Sequence, residues 1–186
     1  MCDIIFIENQ KRGKLMKKIY VAAPLFTDKE KAFNEKVKNW LKHKFYTDYV
    51  FLPQEYVSSK ADKHNTIWAK DVFDHDTSTI YDADMVCIVD NGDFRSDDGS
   101  AFEVGYAYAM NKEIIFVSDS PDTKKSLMIG VAAKQFYIYD KENDTFWQRD
   151  RDCFYWTWAL NARAGATKLH KETTIIYVLL YIDMVY

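Results

Sequence analysis

Apolar residues recur along the chain at two spacings, which predict alternating strands and helices. Short continuous apolar runs that end at proline or at acidic residues are typical of strands covered on both faces of a sheet. They predict five strands, at Lys18–Ala23, Tyr49–Leu52, Asp84–Asp90, Glu113–Val117 and Gln135–Tyr139. Apolar positions at steps of three and four residues predict three helices, at Lys29–Lys44, from Asn65 to about Tyr81, and at Ser100–Asn111.

The order of these elements predicts the fold class. Strands that alternate with helices at this spacing form a parallel sheet with right-handed crossovers. We therefore expect an α/β domain with about five parallel strands and flanking helices. In such open sheets, ligands bind beyond the carboxyl ends of the strands. We therefore expect a ligand-binding site among the residues that follow Ala23, Leu52 and Asp90.

The two ends of the chain lie outside this pattern. Residues 1–16 offer no partner for the sheet, and we interpret them as an N-terminal extension to a domain over residues 17–149. Residues 150–186 suggest a helix and a final strand, but their structure cannot be assigned. The acids beside the first apolar run argue against a secretory signal, and Asp183 and the short length of the last run argue against a membrane span.

Composition and charge exclude several classes of partner. The net charge of −3 offers no electrostatic footprint for nucleic acid polymers or anionic membranes, and it suits a small neutral substrate. The three cysteines are widely spaced, which indicates neither a zinc site nor a disulfide framework and fits a reducing cytoplasm. No GxGxxG or P-loop motif is present. We expect no cofactor and no metal.

The chemistry is concentrated in the window Arg95–Tyr108, which reads RSDDGSAFEVGYAY. Two adjacent acids and a Gly-Ser pair precede Glu103, which lies one turn into a helix of otherwise small or apolar residues. Glu103 is thus expected near the helix N-terminus at the ligand-binding edge, where the helix dipole favours an ionised carboxylate, as a nucleophile requires. Taken alone, Glu103 is better explained as an acid that stabilises the first helical turn. The preceding helix carries a second dense group of acids, which includes Asp76.

These stretches together resemble the nucleoside 2-deoxyribosyltransferase family. The resemblance runs from about Lys17 to Ala133 and includes IYVAAPLFTD, the acids D-x(5)-D-A-D-M, the segment DDGSAFEVGYA and the later SLM, in the order of the family. It implies a flavodoxin-like doubly wound sheet. It also implies a homo-oligomer, based on dimers and often hexameric, whose sites are completed across subunits. The implied substrates are a small nucleoside and a free nucleobase.

The resemblance further implies catalytic roles for single residues. Glu103 matches the nucleophile of the family, and Tyr20 matches the tyrosine that hydrogen-bonds to it and orients it. Asp76 matches an acid that donates a proton to the leaving base. Asp97, six residues before Glu103, matches an acid that binds the sugar hydroxyls.

Five other positions form the remaining candidate substrate contacts. Phe26 lies in the loop after the first predicted strand. Gln54 or Glu55 occupies the region of a base-binding glutamine, and Gln54 is preferred because an amide can both donate and accept hydrogen bonds. Ser126 stands where the transferases often have an asparagine supplied by a neighbouring subunit, and Met128 matches a methionine two residues later.

Three functions are open at this point. Transfer of 2-deoxyribose between bases would proceed by double displacement through a sugar ester on Glu103, by the logic of retaining glycosidases. A related hydrolase of 2′-deoxynucleoside 5′-monophosphates would use the same covalent step. Such hydrolases usually have a phosphate-binding serine where this chain has Asp97, which would repel phosphate, although Ser126 fits the hydrolases better. The third function is a non-catalytic nucleotide-binding module on the same fold.

Overall fold

The structure, a computed structural model, describes residues 16–59, 65–90, 97–121 and 126–150. The strands in these ranges are β1 (Ile19–Ala22), β2 (Val50–Phe51), β3 (Met85–Asp90), β4 (Glu113–Ser118), β5 (Gln135–Asp140) and β6 (Thr145–Arg149). The helices are α1 (Asp28–Phe45), α2 (Thr66–Asp82), α3 (Asp98–Ala109) and α4 (Leu127–Ala132), and a short 3-10 helix (Pro53–Glu55) follows β2.

The strands form a single sheet in the order β2-β1-β3-β4-β5-β6. The first five are parallel, and their order 2-1-3-4-5 is that of flavodoxin-like doubly wound folds. The predicted fold class is therefore confirmed. β6 pairs antiparallel with β5 and was not predicted, because it is a half-exposed edge strand whose sequence, TFWQR, lacks a continuous apolar run.

Successive residues of the central strands point alternately into two apolar layers, one on each face of the sheet. Ile19 and Val21 belong to the layer that α1 covers with Val37 and Leu41. Tyr20 points to the opposite face, where α3 packs over β1, β3 and β4. Its side chain is 0% exposed. A tyrosine so deeply buried requires a partner for its hydroxyl group.

α1 begins at Asp28, one residue before its predicted start, and Thr27 is its N-cap. Thr27 and Glu30 form a capping box, in which the Glu30 carboxylate accepts a hydrogen bond from the Thr27 N–H at 2.7 Å. The same carboxylate accepts a bond from the Phe26 N–H at 2.9 Å. These bonds fix the loop between β1 and α1. The predicted N-cap of α2, Asn65, is also present.

Other boundaries differ from the sequence prediction. α3 begins at Asp98 rather than Ser100, so Asp98 and Gly99 are helical instead of belonging to a loop. α4 was not predicted, since its six residues, LMIGVA, have no polar face to reveal a helical period. The predicted segments 1–16 and 150–186 lie outside the described residues except for their inner ends. Within the described ranges, no helix is long and apolar enough to cross a membrane.

Candidate active site

A hydrogen bond between Tyr20 and Glu103 forms the centre of the candidate site. The Tyr20 hydroxyl, from β1, donates to Glu103 Oε1, from α3, over 2.6 Å. This short distance is typical of a hydrogen bond to a carboxylate. The bond engages Oε1 and thereby orients the carboxyl group, while Oε2 takes no part in it. The structure thus brings together the two residues that the sequence assigned as nucleophile and orienting tyrosine.

Asp97 caps the N-terminus of α3, the helix that contains Glu103. Its Oδ2 accepts hydrogen bonds from the Ser100 N–H and from the Ser100 hydroxyl, both at 2.8 Å. A Cβ atom on Gly99 would lie 3.2 Å from the same oxygen, so glycine leaves room for this cap. Asp97 is therefore an N-cap as well as a candidate ligand for sugar, and its charge contributes to the electrostatics of Glu103.

Burial controls the protonation of the two candidate catalytic carboxyls. It raises the pKa of Glu103 to about 8, with repulsion from Asp76 and Asp97 adding to the effect and the Tyr20 bond opposing it. Burial also raises the pKa of Asp76 to about 6, against the lowering effect of His75. The expectation that the helix dipole keeps Glu103 ionised is not met, because loss of hydration outweighs the dipole. With these pKa values, Glu103 is mostly protonated and Asp76 mostly ionised at neutral pH.

Tyr20 stays a hydrogen-bond donor throughout the physiological pH range. Burial, followed by repulsion from the Glu103 and Asp76 carboxylates, raises the pKa of Tyr20 far above its ordinary value. A phenolate beside two carboxyl groups would bring a third negative charge into a poorly hydrated space. The hydroxyl can therefore stabilise an ionised Glu103 without competing for its proton.

A group of aromatic and acidic side chains beside Asp76 was assigned no role from the sequence. The His75 ring is stacked on Tyr56, with ring centroids 3.6 Å apart and an interplanar angle of 18°. The Tyr56 hydroxyl donates to Asp71 Oδ2 at 2.8 Å, and the Ser58 hydroxyl donates to the same atom at 2.6 Å. The spacing of four residues between Asp71 and His75, which puts both on one face of α2, was the available signal.

The two candidates for base binding have their side-chain contacts on α1. Gln54 Oε1 accepts from the Asn34 amide at 3.1 Å, and Gln54 Nε2 donates to Lys31 O at 3.2 Å and to Glu35 Oε1 at 3.1 Å. Both amide hydrogens of Gln54 are thus engaged. The Glu55 carboxylate forms an ion pair with Lys38. The hydrogen bonds and ion pair of these two side chains do not involve Tyr20 or Glu103, and their role in base binding stays a prediction.

Three further candidates lie at exposed positions. Phe26 is 74% exposed in the loop after β1. Ser126 is the N-cap of α4, where its hydroxyl accepts from the Met128 N–H at 3.3 Å. Met128 is 80% exposed. It lines an apolar groove formed with residues of α3, namely Ala101, Val104, Gly105 and Tyr108.

Met128 and Glu103 lie on different sides of α3. With 3.6 residues per turn, the α3 positions that line the Met128 groove share one face, and Glu103 projects from the opposite face. Within one chain, the structure does not bring Met128 to the Tyr20–Glu103 pair.

Comparison with known proteins identifies the family of the chain. The family profile of nucleoside 2-deoxyribosyltransferases matches residues 19–145, which is more than half of the chain. A search of curated protein sequences finds no match.

Solved structures of similar proteins include a 2-deoxyribosyltransferase from Bacillus psychrosaccharolyticus. It is 25% identical, with a TM-score of 0.58 over 68% of this chain and 88% of that one. A Leishmania mexicana 2-deoxyribosyltransferase is 26% identical, with a TM-score of 0.42 over 56% and 65% of the two chains. A Clostridium botulinum CMP N-glycosidase is 19% identical, with a TM-score of 0.45 over 69% and 94%. By the match of the family profile over residues 19–145, the chain belongs to the nucleoside 2-deoxyribosyltransferase family.

Proposed function

We propose that the protein transfers 2-deoxyribose between nucleobases by double displacement, with Glu103 as the nucleophile. Membership of the family makes the chain a glycosyl-transferring or hydrolysing enzyme. The observation that carries the finer proposal is the 2.6 Å hydrogen bond by which the buried Tyr20 hydroxyl orients the Glu103 carboxyl group. Asp76 supplies the second carboxyl that such a reaction requires, and its charge acts on both Tyr20 and Glu103.

In the first displacement, a Glu103 oxygen attacks the anomeric carbon of a 2′-deoxynucleoside through an oxocarbenium-like transition state. The bond between this carbon and the base nitrogen breaks, and its electron pair leaves with the base. Asp76 donates its proton to the departing base. The sugar is then held as an ester of Glu103. A 2′-hydroxyl would withdraw electrons from the cationic carbon and raise the barrier, which favours deoxy substrates.

In the second displacement, a nitrogen of the incoming base attacks the anomeric carbon and the ester bond to Glu103 breaks. The proton of the incoming base passes to the Asp76 carboxylate, which restores the starting state. Two inversions give net retention of configuration. One proton thus completes the cycle without an external acid or base.

The catalytic cycle requires Glu103 ionised and Asp76 protonated, the reverse of the distribution in the free protein at neutral pH. Because both pKa values are raised by burial, one proton can pass between the two groups at a small free-energy difference. The Tyr20 hydroxyl supports the ionised form of Glu103, since its hydrogen bond lowers the pKa of that group.

Hydrolysis of 2′-deoxynucleoside 5′-monophosphates is the second candidate. It requires the same ester on Glu103, with water in place of the second base. Asp97 argues against it, because a carboxylate at the sugar-binding position would repel a phosphate dianion. Ser126 favours it, as a hydroxyl can donate a hydrogen bond to phosphate.

We also propose that the protein works as a homo-oligomer with sites shared between subunits, based on dimers and possibly a hexamer. The exposed, apolar Met128 groove has the character of an interface core, since Met and aromatic residues such as Tyr108 are enriched there. Its position on the side of α3 opposite Glu103 supports a contribution of Ser126 and Met128 to the site of a neighbouring copy.

The first prediction concerns the covalent step. Glu103→Ala should lower exchange between deoxyinosine and adenine by about a thousandfold or more, because no other group replaces the nucleophile. Mass spectrometry of the unmodified protein with deoxyinosine and no acceptor base should detect a deoxyribosyl adduct on Glu103. Full activity in Glu103→Ala, or an adduct on another residue, would refute the assignment. The same assay separates transfer, hydrolysis and absence of catalysis.

The second prediction concerns stability and pH. In the unfolded chain both carboxyls lose protons near pH 4, whereas in the folded protein Asp76 and Glu103 retain theirs to about pH 6 and 8. The contribution of these two groups to the free energy of unfolding should therefore decrease as pH rises from about 4 to about 8. Glu103→Gln keeps an acceptor for Tyr20 and removes the charge, so the variant should be more stable than wild type at pH 8.

Denaturant unfolding at several pH values measures this effect, with the exposed Glu142→Gln as the matched control. Glu103→Gln should flatten the pH dependence, and Glu142→Gln should leave it unchanged. Equal stability of wild type and Glu103→Gln at pH 8 would contradict the assignment of a buried, destabilising carboxylate.

The third prediction concerns selection against phosphate. Wild type should prefer deoxynucleosides to their 5′-monophosphates. Asp97→Ser and Asp97→Asn both preserve an N-cap for α3 and remove the negative charge, so they should reduce that preference by roughly tenfold. The ratio of kcat/KM values for the two substrate classes is the measurement. If wild type cleaves monophosphates faster, the hydrolase is the correct function.

The fourth prediction concerns assembly. Light scattering at micromolar concentration should give at least a dimer. Neither Glu103→Ala nor the double variant Ser126→Ala/Met128→Ala should be active alone, but mixing them should restore part of the activity. Restoration is expected because some sites then combine an intact Glu103 with an intact α4 from the partner. A fully active monomer would exclude shared sites.

A further inference from the structure

His75 and Asp76, which follow each other on α2, present two unsatisfied polar atoms to one another. His75 Nδ1 and Asp76 Oδ1 lie 3.7 Å apart. Both atoms are buried, and neither has a hydrogen-bond partner in the part of the chain that the structure describes. The distance is longer than a direct hydrogen bond but within the range of an ion pair. Buried polar atoms without partners cost free energy, so this arrangement is unfavourable unless the two groups share a proton.

Aromatic contacts hold the His75 ring in this orientation. Tyr56 stacks on the ring at 3.6 Å, and Phe51 contacts it with ring centroids 5.1 Å apart. The hydroxyl of Tyr56 is itself held by Asp71 at 2.8 Å. The His75 side chain is 31% exposed although Nδ1 is buried, so its exposed surface belongs to other atoms. The His75 ring therefore has one part in contact with solvent, while its buried Nδ1 faces Asp76 Oδ1.

The charge state of this pair follows from elementary chemistry. A neutral imidazole with a bare Nδ1 would face the Asp76 carboxylate with a lone pair, which is repulsive. A proton on either atom replaces this repulsion by attraction. Among the described residues, Tyr20 and Glu103 also interact electrostatically with Asp76, and both disfavour an additional negative charge in the site. Of these neighbours, His75 is the one that can carry positive charge.

We propose that His75 is a positioning residue that shares a proton with Asp76 and thereby sets the pH range in which Asp76 can protonate the leaving base. The proposal rests on the function proposed above for Asp76. A proton on His75 Nδ1 would stabilise the Asp76 carboxylate across 3.7 Å, and a proton on Asp76 would have His75 Nδ1 as its acceptor.

His75 affects the pKa of Asp76 through its charge. The positive charge of His75 opposes the rise that burial causes in the pKa of Asp76. Replacing His75 by a residue that cannot carry charge should therefore raise that pKa further, by about one unit. His75→Phe is suitable because a phenyl ring can keep the stacking on Tyr56 and Phe51. His43→Phe, at an exposed position of α1, is the matched control.

The test that does not depend on turnover is a pH titration of the Asp76 carboxyl carbon by NMR. Its signal is identified by its absence in Asp76→Asn. We expect a midpoint near pH 6 in wild type and in His43→Phe, and a midpoint about one unit higher in His75→Phe. An unchanged midpoint in His75→Phe would overturn the proposal. If His75→Phe does not fold, His75→Gln, which also cannot be charged near neutral pH, provides the same comparison.

The second test is the pH profile of kcat/KM for deoxyribosyl exchange. The limb of the profile that shifts in Asp76→Glu belongs to Asp76, and it should move to higher pH in His75→Phe but not in His43→Phe. A loss of rate without movement of the limb would indicate a merely structural role and would refute the proposal. Absence of exchange and hydrolysis in wild type would refute the proposed function instead, while the NMR titration would still decide whether His75 and Asp76 form a coupled pair.

Discussion

A tyrosine hydroxyl inside the apolar layers of a sheet needs a partner, and in this fold the partner is Glu103. The 2.6 Å bond from Tyr20 joins the second residue of β1 to the second turn of α3. This bond gives the buried Tyr20 hydroxyl an acceptor and orients the Glu103 carboxyl group. It also reduces the free-energy cost of burying that carboxyl group. Asp97 secures the same helix from its N-terminus. The placement of Glu103 thus depends on contacts that also hold the fold together.

Much of the fold follows from the sequence, because strands covered on both faces leave continuous apolar runs and helices leave a period of 3.6 residues. The runs at β1, β3 and β4 predicted the sheet, and Asn65 marked the start of α2. α4 and β6 escaped prediction for a common reason. Each is five or six residues long, and neither carries enough polar and apolar positions to display a period.

The candidate site was predictable where a motif ties a residue to an element, as for Glu103, Asp97 and Tyr20. Contacts between elements distant in the sequence were not. Nothing in the spacing shows that His75 stacks on Tyr56 or that both amide hydrogens of Gln54 are engaged by α1. The raised pKa of Glu103 could not be predicted from the sequence either. The helix-dipole argument uses only the position of Glu103 in the helix, whereas its pKa depends on burial, which results from the packing of α3 against the sheet.

The two margins of the sheet have a consequence for association between copies of the protein. A long, flat, apolar edge strand invites unwanted pairing with other chains. Here β2, at one edge of the described strands, has two residues, and Pro53, which cannot donate a ladder hydrogen bond, follows after Leu52. At the other edge, β6 pairs antiparallel with β5 and exposes Thr145 and Gln148. Among the described strands, these two edges therefore disfavour pairing with a strand of another copy.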